Sequence, residues 1–309
     1  MPKLFLDSGA YSAYTNKTQV NINDYMEFIK EHEDEIEVYA NLDDIGSAEK
    51  TWENQRIMES EGFHPIPVYH LSDAEDPYLR MAMEYDYFAV GGLASAKGRA
   101  LKPFIANIFR QVCIEKNDYY PTHKVHGFGI ATPEIITMFP WYSIDSTSWV
   151  MYGRYGIILT PSIKYGEITY KDPPYAVPIS YRSKAMGQER KHLVNYKKTD
   201  LAWVKKYIQE KGFDIGETEI KVVDSKYKLK DNENWVKETA ETEDGFISYG
   251  GPRKVEVTIS PGLSNNGELR DRFNLLYFLE LEKFIPKYPW RWVPPSVALN
   301  EFSFKSDVL

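Results

Sequence analysis

Three aspartates stand directly after stretches that the sequence predicts to be buried strands. Lys3–Leu6 precedes Asp7, Ile36–Leu42 precedes Asp43, and Trp141–Ile144 precedes Asp145. A carboxylate in such a position can transfer protons, attack an electrophilic carbon or bind a ligand. It can also simply accept hydrogen bonds from the following loop, which is the more common role of a lone strand-end aspartate. The choice depends on whether the fold brings the three together.

Short apolar runs alternate with helical patterns throughout the first half of the chain. The predicted strands are Lys3–Leu6, Ile36–Leu42, Ile66–Tyr69, Tyr87–Val90, Lys124–Ile130 and Trp141–Ile144. The predicted helices are Asp24–Glu31, capped by Asn23, then Ala48–Glu61, a helix after Asp76-Pro77, Pro103–Lys116, and one begun by Thr132-Pro133-Glu134. This alternation is typical of a parallel α/β fold, in which ligands bind at the carboxyl ends of the strands. The aspartates are therefore predicted to share one edge.

The pattern changes after about residue 161. Gly156–Thr160 is a candidate seventh strand, and no eighth strand can be identified. Pro161–Ser180 is rich in proline and is predicted to form hairpins or loops. Helices are predicted at Leu201–Lys211, after a cap at Asp200, and at Arg270–Phe284.

Composition excludes several classes of protein. The 309 residues carry a formal net charge of −8, so the total charge implies no general affinity for nucleic acid. The single cysteine, Cys113, excludes an internal disulfide and a cysteine-rich zinc site. The chain opens without a secretory leader, and no apolar run reaches membrane-spanning length. These features predict a cytoplasmic protein.

One stretch reverses the acidic balance of the chain. The basic residues within it are Arg182, Lys184, Arg190, Lys191, Lys197, Lys198, Lys205 and Lys206. Tyr181, Tyr196 and Trp203 lie among them. Such a stretch can contact nucleic acid through charge and base stacking, or it can be an ordinary solvated face.

Four short motifs at predicted strand ends resemble those of the tRNA-guanine transglycosylase superfamily, which includes the queuine tRNA-ribosyltransferases. Asp7-Ser8-Gly9-Ala10-Tyr11 resembles the family's Asp-Ser-Gly-Gly-Tyr/Phe, and Leu42-Asp43-Asp44 is similar to its Phe-Asp-Glu. Val90-Gly91-Gly92-Leu93-Ala94 matches its Gly-Gly-Leu-Ala motif. Gly129–Glu134 followed by Ile144-Asp145 resembles Gly-x-Gly-x-Pro-Glu followed by Phe-Asp. The resemblance covers residues 3–154.

The resemblance implies a fold and a reaction. The fold would be a (β/α)8 TIM-like barrel, incomplete or rearranged, with residues 1–161 as its core. Residues 162–309 would complete the barrel and add an α+β extension that binds nucleic acid. The reaction would be that of a pentosyltransferase, which exchanges a base at a nucleoside C1′. Asp145 would be the nucleophile that holds the sugar, and Asp7 the acid/base that protonates the departing guanine.

The same resemblance implies a set of base-binding residues. They are Ser8, Tyr11, Asp43, His70, Gly91, Gly92, Leu93 and Phe128. Asp44 competes with Asp43 for its role, and Tyr69 competes with His70, which could also be merely structural. Gly91 and Gly92 could instead form a tight turn. Tyr11 and Phe128 would sandwich the base, unless they are ordinary core residues.

This chemistry agrees with the residue types. Breaking an N-glycosidic bond passes through an oxocarbenium-like centre, which a nearby carboxylate can stabilise and trap. The second carboxylate must change its protonation state between base departure and base entry, so the two need different environments. Glycines allow the backbone to approach the base, and an aromatic pair can grip its ring.

The chain also departs from the family. It lacks the Cys-x-Cys-x2-Cys and later His that hold zinc in enzymes acting on tRNA, and Ala10 replaces a motif glycine. The shortened, zinc-free form looks most like the phage-encoded branch that places 7-deazaguanine derivatives into DNA. That branch implies DNA as the partner, 7-cyano-7-deazaguanine as the incoming base, no metal or cofactor, and the host cytoplasm as the location.

Three other interpretations stay open. The first is a tRNA-guanine transglycosylase that has lost its zinc. The second is a non-catalytic barrel that binds a 7-deazaguanine or a nucleotide, against which the presence of both Asp7 and Asp145 argues. The third is an unrelated barrel lyase or aldolase, which is disfavoured because the sequence offers no strand-end lysine and no metal triad.

Overall fold

A computed structural model of the chain describes residues 4–71, 76–93, 101–164, 167–183, 192–224, 226–236 and 253–295. The chain forms two compact units. Unit 1 comprises Met1–Ser146 together with Ile285–Leu309, and unit 2 comprises Thr147–Phe284. Unit 2 is thus an insertion between two segments of unit 1. None of the helices in the described ranges combines the length and the apolar character that a membrane span requires.

Unit 1 alternates strands and helices along the chain. Its strands are β1 (Leu4–Leu6), β2 (Ile36–Tyr39), β3 (Val68–His70), β4 (Tyr87–Gly91), β5 (Lys124–Gly127) and β6 (Ser143–Ile144). Its helices are α1 (Ala10–Thr15), α2 (Ile22–Glu31), α3 (Ala48–Ser60), α4 (Asp76–Ala82), α5 (Leu101–Val112) and α6 (Pro133–Met138). Each predicted strand of this half is present, although β2 and β5 end three residues earlier than predicted and β3 and β4 end one residue later.

The strands of unit 1 pair in parallel. β1 pairs with β2, and β3, β4, β5 and β6 form a four-stranded sheet in that order. A parallel bridge between Ala40 and Ile66 lies just after β2 and just before β3. The prediction of a mixed α/β protein with a parallel sheet is therefore confirmed.

The interior of unit 1 is built by residues that alternate along these strands. Ala40, Ile66, Val68 and Ala89 form one buried cluster, against which Phe5 and Phe128 pack. The ring of Phe5 on β1 stacks on the ring of His126 on β5, with centroids 4.2 Å apart. Side chains of the first and fifth strands thus meet, which requires the strand series to curve around a shared interior.

Two predicted helix caps are wrong. Asn21, and not Asn23, caps α2, because its side chain accepts hydrogen bonds from the backbone N–H groups of Asn23 and Asp24. In unit 2, the helix assigned to Leu201–Lys211 begins at Lys198, so Asp200 lies within its first turn. Asn and Asp are both favoured at the cap, and Asp also stabilises the first turn of a helix, so the residue pattern alone does not identify the cap position.

In the part of unit 2 that the structure describes, short antiparallel ladders are combined with three α-helices. Its strands are β7 (Ile157–Thr160), β8 (Ser162–Lys164), β9 (Glu167–Thr169), β10 (Tyr175–Pro178), β11 (Glu217–Val223), β12 (Glu233–Trp235) and β13 (Arg253–Ser260). Its helices are α7 (Ser148–Arg154), α8 (Lys198–Glu210) and α9 (Gly267–Glu282). The expected strand at Gly156–Thr160 exists as β7, but its ladder is antiparallel, with β10, and not a continuation of the parallel series.

Unit 2 has its own core. Ile158, Val177, Ile208 and Phe273 belong to one buried cluster that joins β7, β10, α8 and α9. The buried amide of Asn274 accepts a hydrogen bond from the N–H of Leu159 and donates to the carbonyls of Trp149 and Ile157. This side chain ties α9 to the start of β7, since it satisfies backbone groups that would otherwise be buried without partners.

After α9 the chain returns to unit 1. Trp292 is buried there, with its ring centroid 5.5 Å from that of Phe139, and its backbone N–H donates to the carbonyl of Tyr119. The hydroxyl of Tyr288 donates to the carbonyl of His123. Residues 285–295 therefore supply part of the core of unit 1, which the sequence pattern does not indicate. The prediction that residues 162–309 bind nucleic acid stays a prediction.

Candidate active site

The structure brings Asp7, Asp43 and Asp145 to one edge of unit 1. They follow β1, β2 and β6 respectively, at the carboxyl ends of those strands. The charges of Asp43 and Asp145 both act on Asp7, so the three carboxylates form one electrostatic cluster. Like charges placed together disfavour simultaneous ionisation, which raises the pKa of Asp7.

Asp7 is the member that this crowding affects most clearly. Part of the residue remains open to solvent. Desolvation by the surrounding protein, and then the charges of Asp43 and Asp145, raise its pKa to about 6, although the backbone N–H groups of Gly9 and Ser8 oppose the shift. A carboxyl group with this pKa can act as an acid or as a base at neutral pH.

Asp43 is held at both oxygens. The hydroxyl of Ser8 donates to its Oδ1 over 2.6 Å, and Nε2 of His70 lies 2.8 Å from its Oδ2. The His70 side chain is only 3% exposed. Asp44 instead faces α3, where its carboxylate lies 3.1 Å from Nζ of Lys50. The geometry therefore places Asp43, and not Asp44, in the cluster.

The resemblance also assigns His70, Gly91 and Gly92 to base binding, and these residues belong to the same site. The ring of Tyr69 stacks on Phe104, so His70 is the residue that reaches the carboxylates. A Cβ on Gly91 would lie 2.5 Å from Cδ2 of His70, so only glycine leaves room for this imidazole. Gly92 has a φ of +75°, as the alternative of a tight turn requires, and Leu93 is buried.

Asp145 has a different environment. The N–H of Gly129 donates to its Oδ1 over 2.8 Å, and the side chain is 48% exposed. Gly129 adopts a φ of +71°, which directs this N–H into the cluster. Burial raises the pKa of Asp145, whereas the Gly129 hydrogen bond opposes that shift by favouring the carboxylate.

A chain of polar side chains behind Asp145 was not predicted. His126 is 3% exposed, and its Nε2 lies 3.8 Å from Oδ1 of Asp145. Its Nδ1 lies 2.7 Å from the hydroxyl of Ser143, which in turn lies 2.7 Å from the hydroxyl of Tyr87. Burial lowers the pKa of His126 to about 3, so this imidazole is neutral at pH 7. His126 and Phe128 alternate to the same face of β5, and this alternation is the signal that could have placed His126 in the interior.

The tautomer of His126 depends on the direction of the hydrogen bonds along this chain. Either hydroxyl of the Tyr87–Ser143 pair can donate. Burial raises the pKa of Tyr87 to about 12, so this phenol keeps its proton. When Tyr87 donates to Ser143, Ser143 donates to Nδ1 of His126, and the imidazole proton then lies on Nε2 beside Asp145.

The two predicted stacking rings are placed separately. Phe128 is half-buried, and its ring centroid lies 4.5 Å from that of His126 in an edge-to-face arrangement. Tyr11 lies on α1 and is 54% exposed. Among the described residues, no ring contact joins Tyr11 to Phe128, so their sandwiching of a base stays a prediction.

The basic stretch lies in unit 2 and is described only in part. Lys184, Arg190 and Lys191 lie outside the described residues. Lys197 and Lys198 are exposed at the start of α8. Arg182 pairs with the buried carboxylate of Glu256, with Nε 2.9 Å from Oε2. Tyr196 and Trp203 pack against the core of unit 2, so neither is a free stacking surface.

Within the described ranges, no group of three or more His, Cys, Asp or Glu side chains is placed to hold a metal ion. The fold and the site together define unit 1 as a parallel α/β unit with a carboxylate cluster at the carboxyl ends of its strands. Comparison with known proteins finds no match to a family model, to a curated protein or to a solved structure. The geometry of the site therefore carries the functional argument.

Proposed function

We propose that the protein is a base-exchange transglycosylase that replaces guanine in a nucleic acid with a 7-deazaguanine derivative. The observation that supports this most is the pairing of Asp7 and Asp145 at one edge in unlike environments. The charges of Asp43 and Asp145 add to the effect of burial on Asp7, whose pKa rises to about 6, whereas burial alone raises the pKa of Asp145 and the N–H of Gly129 opposes that shift. A two-step exchange at C1′ needs one carboxyl that changes protonation state and one that attacks.

In the first step, a carboxylate oxygen of Asp145 forms a bond to C1′. The bond from C1′ to the guanine nitrogen breaks, and its electron pair stays with the base. Protonated Asp7 gives its proton to the departing base. In the second step, the incoming base gives its N–H proton to Asp7, attacks C1′ and releases Asp145. The cycle returns both carboxyls to their starting states and consumes no other reactant.

Asp43 and His70 would orient the base in this scheme. Ser8 and His70 occupy one lone pair on each oxygen of Asp43. A carboxylate offers about four acceptor sites, so two remain for the N–H groups of a guanine-like edge. The fixed position of Asp43 would reduce the entropy lost when the base is bound.

Two more specific parts of the proposal, the barrel fold and the choice of substrates, rest on the resemblance to the transglycosylase family. The curvature that brings Phe5 against His126 supports a barrel-like unit 1, which we propose to be an incomplete or rearranged (β/α)8 barrel. We also propose DNA as the polymer and 7-cyano-7-deazaguanine as the incoming base, as in the zinc-free branch, with tRNA as the rival substrate.

The test is base exchange by the purified protein. Guanine-labelled DNA and tRNA are each incubated with 7-cyano-7-deazaguanine, and nucleosides are then identified by mass spectrometry. Release of guanine from DNA with appearance of the modified deoxynucleoside supports the proposal. Exchange into tRNA alone would show that tRNA, and not DNA, is the substrate. Binding of the free base without exchange into either polymer would show that the protein binds the base but does not catalyse the exchange.

A further inference from the structure

Unit 2 contains a cavity of about 360 Å³ that the proposed exchange does not use. Its lining includes Arg154, Tyr155, Ser180, Arg182, Trp235 and Arg270, all within unit 2. Ligand sites range from about 300 to 1,000 Å³, so a cavity at the lower end suits one small ligand. Three guanidinium groups around one space are unusual, because like charges repel unless something compensates them.

The protein fixes two of the guanidinium groups in place. Arg270 is 4% exposed, and it donates from Nε to the carbonyl of Gly153 and from Nη1 to the carbonyl of Leu263, each over 2.8 Å. These acceptors are neutral, so they orient the guanidinium without cancelling its charge. Arg182 is oriented by its contact with Glu256.

The charges around the cavity do not balance within the described residues. Glu256 acts on Arg182 and Arg270, and Asp271 acts on Arg270, which makes two carboxylates against the three arginines of the lining. Burial raises the pKa of Glu256, and protonation of that carboxyl would only enlarge the positive surplus. Arg154 is the exposed member, at the end of α7. A bound anion would balance this excess of positive charge around the cavity.

Two aromatic rings stand beside the arginines. Trp235 has the guanidinium of Arg253 over its ring at 3.9 Å, which adds a further positive charge next to the cavity. Tyr155 is mostly exposed. Gly156 also lines the cavity and packs against Ser180, since a Cβ at this position would lie 2.6 Å from Cβ of Ser180.

We infer that this cavity binds a phosphate group of a nucleotide, with Arg154, Arg182 and Arg270 around the phosphate and Tyr155 and Trp235 beside the attached sugar or base. Guanidinium groups match phosphate oxygens in charge and in fork geometry, and aromatic rings accept any base by stacking. The phosphate could belong to a free mononucleotide or to a polynucleotide strand. Binding here does not depend on base exchange, because none of its residues belongs to the carboxylate cluster.

The first test compares thymidine 5′-monophosphate with thymidine by calorimetry. A pyrimidine is used because the proposed exchange site takes guanine-like bases. We expect the nucleotide to bind and thymidine to bind far more weakly. Arg154→Gln should weaken nucleotide binding roughly 10- to 100-fold, the effect of losing one charged hydrogen-bond donor. Arg110→Gln is the matched control, since Arg110 is exposed in the last turn of α5 as Arg154 is in that of α7.

The second test separates the sources of the phosphate. A single-stranded oligothymidine without terminal phosphates binds and loses affinity in Arg154→Gln if the site takes a strand. It fails to compete with the mononucleotide if the site takes a free nucleotide. The double variant Arg182→Gln, Glu256→Gln leaves the net charge unchanged, so weaker binding by it reports the lost guanidinium. Equal binding of thymidine and its monophosphate, or equal affinities of Arg154→Gln and Arg110→Gln, would overturn the assignment, whatever the exchange assay shows.

Discussion

Nε2 of His70 lies 2.8 Å from Oδ2 of Asp43 only because Gly91, on the neighbouring strand, has no side chain. The glycine therefore acts on the carboxylate cluster through the imidazole, independently of any contact between its backbone and a base. A methyl group at this position would force the ring, or the strand that carries it, to move. This dependence can be measured.

Gly91→Ala should destabilise the protein by about 1–3 kcal/mol, the usual cost of overpacking a buried site. It should also reduce base binding by displacing His70. The free energy of unfolding is measured by denaturant titration for Gly91→Ala, His70→Ala and the double variant. If the clash with His70 is the cause, Gly91→Ala costs much less in the His70→Ala background. Additive costs in the double variant would show that the methyl group meets something else.

Asp7→Asn should stabilise the fold while impairing exchange. The folded-state pKa of Asp7 is raised to about 6 from an ordinary value near 4, so folding favours its protonated form. The native state loses stability as pH rises between these two values, and the loss is complete above pH 6. Asparagine cannot ionise, so the variant should gain in Tm relative to the wild type between pH 4 and pH 6 and keep that gain above it.

The activity of Asp7→Asn gives the complementary readout. Loss of a general acid/base typically slows a reaction by on the order of 10²–10⁴. Single-turnover assays should show that both base departure and base entry become slower. An unchanged exchange rate across the pH range would show that Asp7 is not the general acid/base. A Tm gain of Asp7→Asn that persists at pH 3 would show that ionisation of Asp7 is not the cause of the gain.

Asp145→Asn should abolish the covalent intermediate without unfolding the protein, because an amide is nearly isosteric with the carboxylate but is a far poorer nucleophile. Denaturing gel analysis of protein mixed with a labelled oligonucleotide detects the sugar-linked species. Asp44→Asn is the matched control, since Asp44 pairs with Lys50 away from the cluster. A labelled adduct that survives in Asp145→Asn, or is lost equally in Asp44→Asn, would contradict the assigned nucleophile.

Ser143→Ala should interrupt the hydrogen-bond chain from Tyr87 to His126. It leaves Nδ1 of His126 and the phenol of Tyr87 without their shared partner, at a cost of about 1–3 kcal/mol for buried polar groups. Ser143 reaches the cluster through His126, whose Nε2 lies 3.8 Å from Oδ1 of the proposed nucleophile Asp145, so we expect kcat to fall while KM for the incoming base is unchanged. Ser143→Thr keeps the hydroxyl and should restore kcat. A rise in KM alone would mean that Ser143 serves base binding.

The convergence of the three aspartates could be predicted from the sequence, since strand ends in a parallel sheet share one edge whatever the details of packing. The choice of Asp43 over Asp44 could not, because it depends on which side chain Lys50 reaches across a turn. Similarly, the partnership of His126 with Asp145 spans two strands and is set by the parallel register of β5 and β6.

The parts of the structure that the sequence does not predict depend on contacts between residues that are far apart in the chain. The segment Ile157–Thr160 has the apolar composition of a strand, but composition does not specify its partner, and the antiparallel pairing with β10 is a tertiary result. The arginines of the unit 2 cavity are distant in sequence, from Arg154 to Arg270, and only the fold collects them. No local pattern could have grouped them.

The placement of Trp292 has a consequence for biosynthesis. A ribosome delivers Asp7, Asp43 and Asp145 early, but Trp292 emerges only after the whole of unit 2 has been made. Until then, the face of Phe139 and Phe109 that Trp292 covers has no such cover. Nascent unit 1 therefore stays incompletely packed until Trp292 has been synthesised. A chaperone that shields aromatic surface would have its greatest effect on this protein during that interval.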